Sequence, residues 1–227
     1  MSASTVHGTG YLDHAEAEIR GALGSLPRVL FVPHALKDMD AYAAKARARF
    51  AAMGYAFDSL HDAPSPRGAL LEAPAVFVGG GNTFRLLAQM CRLGTMDVLR
   101  RRVAEGMPYV GASAGSNLAC PTIKTTNDMP IVEPPSLEAL GLVPFQINAH
   151  YVDADPASSH MGETREERLR QFHEENEVPV VGLREGAILR VEGDRVLLRG
   201  TAGARIFRRG RDPVEASPGA SIEALLT

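Results

Sequence analysis

Tryptophan is absent from the 227 residues, and only two cysteines, Cys91 and Cys120, occur. Two thiols cannot build a disulfide framework, so the chain reads as a protein of a reducing compartment, the cytoplasm. Aromatic residues make up 6% of the sequence. No apolar run is long enough to span a bilayer, and Met1-Ser2-Ala3-Ser4-Thr5 lacks the apolar stretch of a secretion signal. Charge of one sign is not in excess either. The net value of -3 suggests neither a nucleic-acid nor a membrane partner. No His, Cys and carboxylate cluster has metal-ligand spacing, so no metal or cofactor is expected. There is no internal repeat and no linker. At 227 residues, with 45% hydrophobic and 22% charged residues, one domain spanning 1–227 fits best.

The most informative stretch that is present is Pro108-Tyr109-Val110-Gly111-Ala112-Ser113-Ala114-Gly115-Ser116-Asn117. A short β-favouring run enters a Gly-x-Ser-x-Gly turn, and small residues then start a helix. Such a turn holds its serine in a strained conformation with Oγ projecting above the strand end. The flanking glycines let backbone pass closely on both sides. Taken alone, the pentapeptide is as compatible with a plain turn as with a nucleophile.

Short apolar runs alternate with helical patterns over the first half of the chain. Strands are predicted at 28–33, 55–60, 75–78 and before Ser113. Helices are predicted from Asp13 to Leu23, from Asp40 to Met53, around Leu70 and Leu71, through Leu86, Leu87 and Met90, and from Met96 to Ala104. This alternation predicts an α/β fold with a doubly wound, mostly parallel sheet. Ligands of such sheets sit at the carboxyl ends of the strands, where Gly79–Gly81 and Ser113 would both lie. The Gly79-Gly80-Gly81-Asn82-Thr83-Phe84 loop has no lysine, which argues against a phosphate loop. An oxyanion-binding role suits it better, because a nucleophilic serine needs a donor from a neighbouring strand end.

Residues 121–162 break the alternation and read as a functional loop dense in Pro, Asn, Asp and His. A charged helix follows from Gly162, then a strand over 178–183 and a hairpin turning at Gly193-Asp194. The tail to Leu226 should add an edge strand. Residues 1–11 carry no pattern and read as a loose arm.

A serine hydroxyl needs a base. His7, His14, His34, His61 and His173 lie in segments that read as surface, which leaves His150 first and His160 as fallback. The acid that orients the base is open between Asp128 and Glu185. Asp128, before Met129-Pro130, could equally form an Asx turn, and Glu185 could be a solvated neighbour of Arg184. Arg165 sits at a helix start, where its cation is unfavourable with the dipole. It would either pair with Glu163 or Glu166 or grip a carboxylate in a bidentate way. Arg205, Arg208, Arg209 and Arg211 read as solvated.

Six ordered stretches resemble the dipeptidase E family, the α-aspartyl dipeptidases. They are 79–84, 111–117, Thr125-Thr126-Asn127-Asp128-Met129-Pro130, Gln146-Ile147-Asn148-Ala149-His150, Gly162-Glu163-Thr164-Arg165-Glu166 and Gly182-Leu183-Arg184-Glu185-Gly186. The resemblance runs from about Val29 to the C-terminal hairpin. It implies a cytoplasmic, metal-independent serine peptidase with a class I glutamine amidotransferase-like (flavodoxin-like) fold, cleaving dipeptides that begin with aspartate. By the same resemblance, Ser113 is the nucleophile and His150 the base. Asp128 or Glu185 belongs to the charge relay, and Gly81 and Ala114 form the oxyanion hole. Arg165 reads the aspartyl side chain, Asn82 joins it as a substrate contact, and the assembly is a homodimer. The chain departs from the family pattern in lacking an apolar strand over residues 1–10. It also has Ala112 and Ser116 at the elbow, where a bulky aromatic and an alanine are usual, a change expected to alter pocket width. A related hydrolase of β-aspartyl, cyanophycin-like peptides or esters is the alternative. A silent module binding an acidic ligand is the non-enzymatic one.

Overall fold

The computed structural model describes every residue except 156, 158, 160, 161 and 227. His160, the fallback base, lies outside the described residues. In chain order, the first half runs α1 (Glu16–Leu23), β1 (Arg28–Val32), α2 (Met39–Ala52), β2 (Ala56–Ser59), α3 (Pro66–Glu72), β3 (Val76–Val78), α4 (Thr83–Arg92), α5 (Met96–Ala104), β4 (Tyr109–Gly111) and α6 (Ala114–Leu118). The second half holds β5 (Gln146–Ala149), α7 (Arg165–Glu175), β6 (Val180–Leu183), β7 (Ala187–Glu192), β8 (Arg195–Gly200), β9 (Ala204–Phe207) and β10 (Val214–Ala216).

The first four strands form a parallel sheet in the order β2-β1-β3-β4. Its strands are short apolar runs buried on both faces, as parallel sheets require. Alternate residues serve two cores. Val29, Phe31 and Phe77 face one with Ile19, Leu23, Ala46 and Phe50 of α1 and α2. Leu30, Val32, Val76 and Val78 face the other with Leu70, Leu86, Met90 and Leu99 of α3, α4 and α5. Helices on both faces make the sheet doubly wound. Its strands all end on one side, where the glycine loop after β3 and the Ser113 turn after β4 sit.

A second sheet runs β10-β9-β6-β5, parallel only between β5 and β6. β7 and β8 make the expected hairpin. β5 lies inside the stretch read as loop. Gln146 and Asn148 hide it from a hydropathy reading, yet both are buried and hydrogen-bonded to the segment before them. A groove of about 630 Å³ between β4 and the β7–β8 hairpin touches the elbow only at Gly111 and Ser116.

Residues 1–11 are not a loose arm. Ser2 and Ala3 are buried, Met1 joins the core cluster of α1 and α2, and Tyr11 and Leu12 pack with it. Their anchors are long-range backbone contacts, which no local pattern announces. His34 and His173 are buried as well, at 4% and 8% exposure, contrary to their surface reading.

Candidate active site

The elbow requires glycine at 111 and 115. A Cβ on Gly115 would lie 2.2 Å from the Val78 carbonyl oxygen, and one on Gly111 would lie 2.6 Å from that of Gly115. α6 can therefore pack its first turn against β3. Ser113 itself takes φ 50°, a left-handed strain that L residues adopt only when the surroundings dictate it. Ala112 and Ser116 are both buried, and Ser116 lines the groove between β4 and the β7–β8 hairpin. Ala112 is in the core, and Ser116 Oγ donates to the carbonyls of Met1 and Gly111.

Ser113 Oγ lies 2.9 Å from Nε2 of His150, and Nδ1 of His150 lies 2.9 Å from Oε1 of Glu185. His150 stands just beyond β5 and Glu185 just beyond β6, at neighbouring carboxyl ends of two parallel strands. Arg184 does not compete for Glu185. It binds Asp153 through two nitrogens and also Glu215, and these bonds hold its guanidinium above its ordinary pKa. Asp153 follows His150 by three residues, so this pairing also staples the His150 loop to β6.

Asp128 is in a different place. Oδ2 accepts from the backbone N–H of Thr83 at 2.7 Å, from Thr83 Oγ1 at 2.6 Å and from Thr126 Oγ1 at 3.1 Å. Its side-chain partners among the described residues do not include His150. The segment 125–128 alternates in its attachments. Thr125 Oγ1 and Asn127 Nδ2 donate to carbonyls of β5, while Thr126 and Asp128 reach the start of α4. It therefore laces the His150 strand to the glycine loop.

Within that loop, Gly79 N–H donates to Val32 O, Gly80 N–H to Tyr42 Oη at 2.8 Å, and Asn82 N–H to Ala35 O. Gly81 N–H has no acceptor among the described residues. Neither has Ala114 N–H, which opens α6. Gly80 packs on Ser113, since a Cβ there would stand 3.1 Å from the Ser113 Cβ. Gly81 has φ 134° and faces Ala35 O at 2.7 Å from where a Cβ would be, so glycine is required. The Asn82 amide caps α4 by accepting from Arg85 N–H and donates to Met129 O. Both its ends are engaged by backbone rather than left open.

Arg165 is the first residue of α7, after a capping box of Thr164 and Glu167. The acidic neighbours are taken: Glu163 by Arg168 and Gln171, Glu166 by Arg170 and Arg205. Arg205 is thus half-buried in ion pairs instead of solvated. Arg165 has no hydrogen bond or ion pair among the described residues. Burial, and then the nearby Arg168, pull its pKa below the ordinary value. Asp40, His61 and Asp62 bring ligand-type atoms within 4.8 Å of one another, with both carboxylates exposed and His61 already bonded to Ser59.

A serine on a strand-to-helix elbow, a histidine, a carboxylate and two free N–H groups define the class: an α/β protein with the site of a serine hydrolase. The family follows from comparison. The model of Peptidase family S51 matches residues 1–199, and the chain belongs to that family. It is 56% identical to a Peptidase E of Streptomyces coelicolor over 100% of this chain and 93% of the relative. It is 46% identical to a probable alpha-aspartyl dipeptidase of Drosophila melanogaster, over 100% and 95%. In fold it is similar to the crystal structure of a peptidase from an acI-B1 Actinobacterium, with TM-score 0.70, 15% identity, and coverage of 97% and 94%.

Proposed function

We propose that this chain is a serine dipeptidase that releases aspartate from Asp-Xaa dipeptides. The unbroken hydrogen-bond chain from Ser113 through His150 to Glu185 carries the reading. Ser113 attacks the carbonyl of the N-terminal aspartyl residue while His150 Nε2 takes its proton. Glu185, on Nδ1, keeps the imidazole in the tautomer that accepts at Nε2 and stabilises the imidazolium. The N–H groups of Gly81 and Ala114 receive the tetrahedral oxyanion. His150 then protonates the leaving amine, and water hydrolyses the acyl-enzyme. The guanidinium of Arg165, half-buried and without a partner among the described residues, supports its role in gripping the aspartyl carboxylate, since a partly desolvated cation favours an anionic ligand. The name of the Drosophila melanogaster relative, a probable alpha-aspartyl dipeptidase, supports the same substrate class.

We read the protein as cytoplasmic and homodimeric. Two unpaired cysteines support the first. No described helix is long and apolar enough to cross a membrane. Met129, Ile131 and Val152, exposed at 74%, 50% and 62% on the loops beside the site, support a covered face.

The test is release of free aspartate from Asp-Leu, with Ala-Leu and Asn-Leu as controls and EDTA present. Hydrolysis of Asp-Leu alone, lost in Ser113→Ala, supports the reading. Hydrolysis of β-linked Asp-Arg or of esters in its place would transfer the same serine chemistry to the cyanophycin-like alternative. Saturable aspartate binding without any turnover would favour the silent module.

A further inference from the structure

Among the described residues, two of the three non-glycine residues with left-handed backbones are Ser113 and His150, at φ 50° and 55°. Both are held by the same dipeptide. Ser113 N–H donates to Met1 O at 3.1 Å, and His150 N–H donates to Ser2 Oγ at 2.9 Å. Ser2 Oγ in turn donates to Leu183 O at 2.7 Å. Leu183 is the last residue of β6, two before Glu185. One hydroxyl therefore links the backbone of His150 to the strand end that presents Glu185, beside the segment that anchors Ser113.

We propose that Ser2 is a positioning residue for the hydrolysis. This rests on the reading of Ser113, His150 and Glu185 as the relay. A left-handed conformation in an L residue persists only where its surroundings over-determine it. For His150 the Ser2 hydroxyl supplies that constraint: it is the sole acceptor of the His150 N–H among the described residues. Ser2 is fully buried, so water cannot take its place. The hydroxyl suits the spot because it accepts from one backbone group and donates to another at the same time. Without it the His150 N–H loses its acceptor, the backbone relaxes toward ordinary φ, and the imidazole swings off the Ser113–Glu185 line. Ser2 touches none of the reacting atoms and acts through His150.

The experiment compares Ser2→Ala, Ser2→Thr and the control Ser4→Ala in the full chain. Readouts are kcat and KM on Asp-Leu, the rate of Ser113 labelling by a fluorophosphonate, and thermal melting. Ser2→Ala is expected to lower kcat about 100-fold, the loss typical of a displaced catalytic group. KM should stay within about twofold, because ground-state binding does not pass through His150. Labelling should slow in parallel, and Ser2→Thr, which keeps the hydroxyl, should recover most of both rates. Ser4→Ala should match the wild type. Three results would overturn the proposal: an unchanged kcat in Ser2→Ala, a rise in KM alone, or a loss explained by unfolding that Ser2→Thr does not repair. Should wild type cleave no dipeptide, the substrate assignment fails, and labelling still reports whether Ser2 sets the reactivity of Ser113.

Discussion

Glu185 Oε1 and His150 Nδ1 lie 2.9 Å apart in a pair that is half open to water, with side-chain exposures of 52% and 41%. That openness sets the size of the effect of removing the carboxylate. Glu185→Gln presents an amide that can favour the wrong tautomer, and the expected loss in kcat is on the order of 10²–10³, below the ~10⁴ seen for a buried relay acid. Steady-state hydrolysis of Asp-Leu measures it.

Asp128 should behave differently. Asp128→Ala removes the acceptor from the N–H of Thr83, a residue with 0% exposure, and should destabilise by about 1–3 kcal/mol. Asp128→Asn keeps an acceptor there and should retain much more activity than Glu185→Gln. Urea unfolding beside kinetics separates the two carboxylates. An Asp128→Asn variant as inactive as Glu185→Gln would return Asp128 to the relay.

Arg165→Ala should raise KM for Asp-Leu at least tenfold and flatten the preference over Asn-Leu, since the proposed bidentate grip on the aspartyl carboxylate would be lost. Arg165→Lys should recover only part, because an ammonium cannot reproduce the planar fork. Equal kcat/KM ratios for the two substrates in wild type and variant would remove Arg165 from the specificity site.

Gly115→Ala should cost about 2–3 kcal/mol, because its Cβ would stand 2.2 Å from Val78 O and rigid backbone must move on both sides. The urea midpoint of the variant, with an unchanged slope, reports this.

His34 makes the fold acid-sensitive. Its burial, with His61 and Arg92 nearby, lowers its pKa to about 4 from 6.5. Between those values the unfolded chain binds a proton that the folded chain excludes. Stability is therefore fully present above about pH 6.5 and falls as pH drops toward 4, by about 3 kcal/mol in total from this residue. A His34→Gln variant should lose less stability between pH 7 and 4.5 than wild type does, as measured by melting temperature across that range.

The serine elbow, the glycine loop, the helices on either side of the parallel sheet and the terminal hairpin were legible because each is a local pattern. Apolar runs of strand length, glycines that end helices and glycines around Ser113 all act within a few residues. β5 was not legible, since buried Gln146 and Asn148 break its apolar alternation, and their amide nitrogens donate to Thr122 Oγ1, the Thr125 carbonyl and Asn127 Oδ1, groups brought from the segment before the strand. The ion-paired Arg205 was misjudged for the same reason: its partners, Glu166 and Glu215, come from other elements.

The sequence by itself determined which chemistry is on offer: a serine on an elbow, a histidine, two carboxylates and an arginine between two glutamates at a helix start. It left the two carboxylates equal, because neither local context distinguishes a relay acid from a turn. Only the tertiary structure separated them. The parallel pairing of β5 and β6 sets Glu185 beside His150, while the lacing of 125–128 carries Asp128 to Thr83. It likewise turned Met1 and Ser2 from an unpatterned start into the anchor of the strained Ser113 and His150 backbones. Those bonds join residues more than a hundred positions apart, and such distances are set by how strands pack, not by what lies next to each residue in the chain.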